Sequence, residues 1–212
     1  GRGYIMKNKK VLKILLIIIG IILLAFLIYF IRNFVIINNL SRLQESNNYS
    51  YVVELNGGTT EYAYKDGKII KTLKVNEQEN VIVWTDSNSK EEIYVYPDQK
   101  KAIISSYNEE FTNELASSIL ESALSNDTAG KLAKALTTFI TTEEVNGIKC
   151  YKVQPLTGIT SNTYYFDKDS KTLVKCMIGE SEINFKNWKI DTLTDADISK
   201  PDLTGYEIEN NN

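Results

Sequence analysis

The chain has 212 residues, 24 basic and 27 acidic, with two Cys and no His. Without an imidazole, nucleophilic triads and His-ligated zinc or haem are excluded, and two thiols cannot complete a four-thiolate zinc site. The net charge of −3 hides an asymmetry: residues 1–31 carry five Lys/Arg and no acid, which leaves 19 basic against 27 acidic residues beyond them and argues against nucleic acid as a partner.

After a basic tail over residues 1–10, residues 11–31 read as a transmembrane signal anchor. Ile14 to Ile31 is an 18-residue run without a charge, 15 of them Ile, Leu or Phe, and Val11 and Leu12 extend it to 21 residues across Lys13. At 1.5 Å per residue that helix crosses a hydrocarbon layer of roughly 30 Å. Those 15 side chains favour insertion by about 4 to 9 kcal/mol, and Lys13 sits at the edge, where its stem can snorkel. A cleaved signal peptide would have a shorter apolar core and a small-x-small site, and neither is present. Arg2, Lys7, Lys9, Lys10 and Lys13 before the span outweigh Arg32 and Arg42 after it. The amino end is therefore expected in the cytoplasm, with everything from Arg32 onward outside a single-pass cell-membrane anchor. The wealth of Ile, Lys and Asn points to an AT-rich bacterial genome.

Residues 32–48 are expected as a juxtamembrane helix, with Ile36, Ile37, Leu40 and Leu43 on one face. Residues 49–212 form the extracytoplasmic domain. Tyr49, Tyr51, Val53 and Leu55 alternate with Ser50, Val52 and Glu54 as in a half-buried strand ended by Gly57-Gly58. Five more strands follow: Thr60 to Lys65, Lys68 to Val75 across the turn Asp66-Gly67, Val81 to Thr85, Ile93 to Tyr96, and Ala102 to Ser106 after Pro97-Asp98. Turn signals 8 to 12 residues apart make this an antiparallel meander. Two helices are then expected, one with Phe111, Leu115, Ile119 and Leu120 inward, the other with Leu132, Leu136, Phe139 and Ile140 inward. Four strands complete the sheet: Ile148 to Val153, Thr163 to Phe166, Leu173 to Ile178 and Ile183 to Ile190. A tail from Asp191 ends as a strap. The fold class is α+β: a large, curved, unclosed antiparallel sheet of about ten strands with two inserted helices, preceded by one transmembrane helix.

Several strands are apolar on both faces, among them Val81-Ile82-Val83-Trp84, Ile93-Tyr94-Val95-Tyr96 and Tyr164-Tyr165-Phe166. Such composition partly reflects the strand preference of Tyr and β-branched residues. It also implies more apolar sheet surface than two short helices cover, and so a groove between sheet and helices. Its candidate ligand-binding residues are Val83, Trp84, Tyr94, Tyr96, Leu115, Ile119, Phe139, Tyr164 and Phe166. Which face each occupies is not fixed by sequence.

The membrane-proximal helix, the six-strand meander with its Asp-Gly turn, the segment IYVYPDQKKAI (Ile93 to Ile103), two helices, and a second meander containing NGIKCYKV (Asn146 to Val153) and YYFDKDSKTLVK (Tyr164 to Lys175) resemble the periplasmic lipoprotein carrier and lipoprotein-like superfamily. The resemblance covers about residues 32–206 and lies in element order more than in a diagnostic motif. It implies an unclosed barrel with a helical lid over a cavity for acyl chains, and related domains sense lipoproteins for envelope-stress regulators. The uncleaved anchor departs from the soluble carriers and is at odds with shuttling.

Cys150 and Cys176 lie on the outer side, where a disulfide can form. If Thr163 to Phe166 lies between their strands, they are two strand spacings apart, roughly 9.6 Å and too far to bridge. The connection from Gln154 to Ser161 also allows direct pairing of the two strands, which leaves a bridge open. Asp167-x-Asp169 reads as a hairpin turn, since it lacks the Gly and Glu of a calcium loop. No carboxylate pair stands in a catalytic motif, so the expectation is a binding protein and not an enzyme, with neither cofactor nor metal. The leading expectation is a lipid or lipoprotein acyl chain held in the groove; the alternative is an envelope protein docked by an interaction or stress-sensing domain that carries no lipid.

Overall fold

The computed structural model describes residues 2–55, 58–75, 78–107, 115–156 and 162–211. It begins with one unbroken helix, α1 (Arg2–Leu40), followed by a turn of 3-10 helix over Ser41–Glu45. The membrane-length segment and the juxtamembrane helix are thus one rod. The most apolar 18-residue stretch of that rod has a mean hydropathy of 3.4, and none of it is buried against the rest of the chain. One apolar N-terminal helix therefore has the length and composition to cross a membrane.

Two meanders build the sheet. The first runs through β1 (Asn48–Leu55), β2 (Gly58–Lys65), β3 (Lys68–Val75), β4 (Gln78–Asp86), β5 (Glu91–Tyr96) and β6 (Lys101–Ser106). After α2 (Leu115–Ala123) and α3 (Thr128–Thr137), the second runs through β7 (Thr138–Val145), β8 (Ile148–Pro155), β9 (Thr163–Asp167), β10 (Leu173–Ile178) and β11 (Ser181–Ile190). β1 pairs antiparallel with β11 and fuses the two, and β12 (Glu207–Asn211) adds a parallel edge strand to β6. Among the described residues the spatial order is β12-β6-β5-β4-β3-β2-β1-β11-β10-β9-β8-β7, an unclosed, half-barrel-like α+β sheet of twelve strands.

The Asp-Gly turn between β2 and β3 is as expected. Asp66 and Gly67 have φ of 49° and 82°, the pair of positive values that a two-residue hairpin needs. A Cβ on Gly67 would lie 2.5 Å from the Ser87 side-chain oxygen, which would have to rotate away, so the positive φ is the main reason for glycine here. Asp167 closes the β9–β10 turn, its carboxylate accepting from the Asp169 amide and the Ser170 hydroxyl, each at 2.8 Å.

Strand pairing fixes which residues share a face. Tyr51 aligns with Tyr62, Tyr62 with Lys71, Lys71 with Val83, and Val83 with Tyr94. This is the inner face. Over β1 and β7–β11 it carries Tyr51, Val53, Ile140, Val153, Tyr164, Phe166, Leu173, Cys176, Ile183 and Phe185, packed in one core with Ala116, Ile119, Leu120 and Ala123 of α2. Ile36, Ile37, Leu40 and Leu43, from the end of α1 and the 3-10 turn, belong to the same core. Burial of each such aliphatic side chain stabilises the fold by about 1.5–3 kcal/mol. The outer face of β3–β6, with Trp84, Ile93 and Val95, is covered by Leu203 and Tyr206 of the tail.

Three expectations change. Phe139 and Ile140 belong to β7, not to the second helix, and that strand extends the sheet at its edge. In α3 it is Lys131 and Ala135 that are buried while Leu132 and Leu136 are exposed. The small Ala135 lets α1 approach closely enough for the Asn33 amide to donate to the Ala135 carbonyl (3.2 Å), and Lys131 reaches Asn38 (3.3 Å) and Glu45 (3.7 Å). The tail adds a twelfth strand where only a strap was foreseen. The assignments of Phe111 to the first helix and of Gly57 to a turn lie outside the described residues.

Candidate functional site

The nine groove candidates do not form one wall. Leu115, Ile119, Tyr164 and Phe166 come together in the inner core. Tyr51 ties the start of α2 to this wall, its hydroxyl accepting from the Ala116 amide at 3.1 Å, and Ser122 and Tyr164 share a hydrogen bond of 3.0 Å. The space facing them is occupied by α1: Ile37 and Leu40 are 0% exposed. Val83, Tyr94 and Tyr96 are also on the inner face, at the other end of the sheet. Trp84 and Phe139 point the opposite way. The Trp84 indole donates to the Ile198 carbonyl at 3.1 Å and lies 5.9 Å from the Lys200 ammonium, so it anchors the tail. Phe139 is exposed.

The surroundings of Val83 are polar. Its cross-strand neighbours are Lys71 on one side and Tyr94 on the other. Glu92, itself buried, accepts the Tyr94 hydroxyl hydrogen at 3.0 Å. Burial, and then this bond to a carboxylate, pushes the Tyr94 phenol up to about 12. Burial pushes the Lys71 ammonium down, a shift that the Glu92 charge partly opposes. Thr85, paired with Glu92, is buried with its hydroxyl unbonded among the described residues. An acyl chain laid across Val83 would shut the neighbouring Lys71 ammonium off from water, a cost that works against lipid at this position.

Sequence reasoning missed the aromatic cluster around Trp188. Its ring stacks on Tyr51 at 4.5 Å, close to Tyr49 (6.2 Å) and Phe185 (6.3 Å), and its indole donates to the Leu173 carbonyl at 2.7 Å. The cause is a bulge: the β1–β11 register shifts between Ser50 and Val52, opposite Asn187 with φ of 57°. The bulge turns Trp188 inward, against strict alternation. Tyr spacing in β1 and β2 hints at such a cluster, but no local signal places the bulge.

The clefts are open and of mixed polarity. One of about 530 Å³ lies across β1–β3 beside Trp188 and Leu193, with Glu61 and Lys189 on its rim. A second, of about 650 Å³, flanks the 3-10 turn near Arg42 and Asp191, and a third, of about 510 Å³, separates α2 from α3. Both cysteines are free and buried. β9 separates their strands, and they sit on opposite faces, Cys176 in the inner core and Cys150 in an outer cluster with Tyr165 and Val174. Among the described residues no three His, Cys, Asp or Glu side chains are grouped to hold a metal ion.

No protein-family model matches the chain, and no curated protein does. Among solved structures, PNGF-II in its C2 crystal form aligns with 77% of this chain at 10% identity and a TM-score of 0.35, the chain spanning 31% of its length. A DUF1329 family protein from Desulfovibrio piger aligns with 79% of this chain and 96% of its own length at 15% identity and a TM-score of 0.30. At scores this low neither overlap bears on what the chain does.

Proposed function

We propose that this chain is a single-pass cell-membrane protein with a cytoplasmic amino end, whose extracytoplasmic domain is a non-enzymatic binding module that docks a protein partner and carries no lipid in its interior. The supporting observation is the placement of Ile36, Ile37, Leu40 and Leu43 in the core that a lipoprotein carrier would leave for an acyl chain. The anchor itself fills the groove. A carrier must open and release; here the lid continues a membrane helix and cannot leave without withdrawing four buried apolar side chains.

The lipid-binding reading retains one support: Val83, Tyr94 and Tyr96 share an inner face outside the core packed by α1 and α2. Native mass spectrometry of the full-length protein after exhaustive detergent exchange separates the two. The bare polypeptide mass is expected. One lipid retained per chain, and lost in Val83→Glu, would favour the lipid reading and reject the proposal.

A further inference from the structure

Leu136, Phe139 and Leu156 are exposed by 45, 46 and 55%, and lie at the end of α3, at the start of β7 and one residue past β8. The Leu156 amide donates to the Thr137 carbonyl at 2.7 Å, and the register pairing Phe139 with Gln154 puts Phe139 and Leu156 on the same face. Their height relative to α1 is fixed by hydrogen bonds. The Thr138 carbonyl accepts from the Tyr29 hydroxyl at 2.8 Å and from the Asn33 amide at 3.0 Å. Tyr29 and Asn33 are one helical turn apart, roughly 6 Å, so Thr138 lies level with the last residues of the apolar run that ends at Ile31.

On the side of α1 turned away from the domain the apolar surface continues. Ile28, Ile31 and Val35 recur at helical spacing and are all exposed, which carries the apolar stripe about 6 Å past Ile31. Thr138, which lies between Leu136 and Phe139 in the chain, therefore sits no higher than the top of that stripe. Arg32, whose guanidinium donates to the Ile140 carbonyl at 3.1 Å, locks the same edge of the sheet to the helix.

We propose that Leu136, Phe139 and Leu156 form a bilayer-contact patch, seated in the outer headgroup and acyl boundary of the membrane that α1 crosses. This rests on the membrane-spanning reading of α1. It explains why α3 turns its leucines outward, and it makes the domain a fixed body on the membrane and not a tethered one. An apolar patch at the level of a lipid-facing stripe is covered by the same lipid, with no second partner required.

The test uses the full-length chain in phospholipid nanodiscs, with a spin label on single introduced cysteines. Cys150 and Cys176 are buried and remain unlabelled in the folded protein. Leu136→Cys, Phe139→Cys and Leu156→Cys are compared with Leu24→Cys inside the span and with Arg42→Cys on the exposed surface of the 3-10 turn. Collision with oxygen and with a water-soluble nickel chelate reports depth, and an unchanged urea midpoint shows that each variant is folded. The three patch labels are expected to favour oxygen, as the Leu24 label does, while the Arg42 label favours the chelate. Patch labels that match Arg42, with Leu24 still in lipid, overturn the bilayer contact alone. A Leu24 label open to the chelate overturns the membrane-spanning reading, and this proposal with it.

Discussion

If the end of α1 is the core filling of the sheet, truncating it destabilises the domain as a core mutation does. Ile37 and Leu40 are both 0% exposed and pack with α2, Tyr164 and Phe166. Each truncation to Ala is expected to cost about 2–5 kcal/mol from lost transfer energy and the cavity left behind. The two are neighbours on one helix face, so their effects need not add. Ile37→Ala/Leu40→Ala together are expected to cost about 4–8 kcal/mol, a large part of the roughly 5–15 kcal/mol of a typical domain. Urea unfolding of the full-length protein in nanodiscs, followed by the emission of Trp84 and Trp188, measures it. Val35→Ala, on the exposed face of the same helix, is the control and is expected within about 0.5 kcal/mol of wild type. A double variant as stable as the control would refute the assignment of α1 to the core.

Asn33 is fully buried and its amide donates to the Ala135 and Thr138 carbonyls. Asn33→Ala should therefore cost about 1–3 kcal/mol in the same assay, while Tyr29→Phe, which leaves the Asn33 bond to Thr138 in place, should cost about 1 kcal/mol. Burial pushes the thiols of Cys176 and Cys150 up to about 12 and about 11. Both should resist alkylation at pH 8 in the folded protein and react fully in denaturant without reductant. The sign of the linked pH effect follows: between pH about 9 and 11 the unfolded thiols ionise ahead of the folded ones. Stability should fall with rising pH in that window, a fall that Cys176→Ala lessens. Trp84→Phe removes the indole bond to Ile198 and should free the tail, seen as faster amide exchange over residues 196–206 with little change elsewhere.

Much of the fold was legible because strands alternate and turns carry Gly and Asp. The first meander, the Asp66-Gly67 hairpin and the helical face of Ile36, Ile37, Leu40 and Leu43 all follow from local pattern, whereas strand order alone, not local pattern, separates the two cysteines. β7 was misread for a physical reason: Phe139 and Ile140 continue the three-and-four spacing of Leu132 and Leu136, which mimics a helix. The contrary signal was present in the β-branched Thr138, Ile140, Thr141 and Thr142 ahead of Asn146-Gly147, a dipeptide that forms tight hairpins and here takes φ of 51° and 80°. The candidate site was less legible, because Val83 and Trp84 are adjacent and only long-range pairing decides which faces inward. Nothing local shows that a juxtamembrane helix, or the tail from Ile198 to Tyr206, supplies the missing cover for an apolar sheet. The apolar surplus was real, and the chain covers much of it with its own two ends.

The most direct test of this account asks what the methyl groups of Ile37 and Leu40 touch. In nanodiscs of protonated lipid, with those methyls selectively labelled in an otherwise deuterated chain carrying protonated aromatic rings, nuclear Overhauser contacts are expected to the rings of Tyr164 and Phe166 and none to lipid methylene protons. Contacts to lipid acyl chains in place of the rings would contradict it.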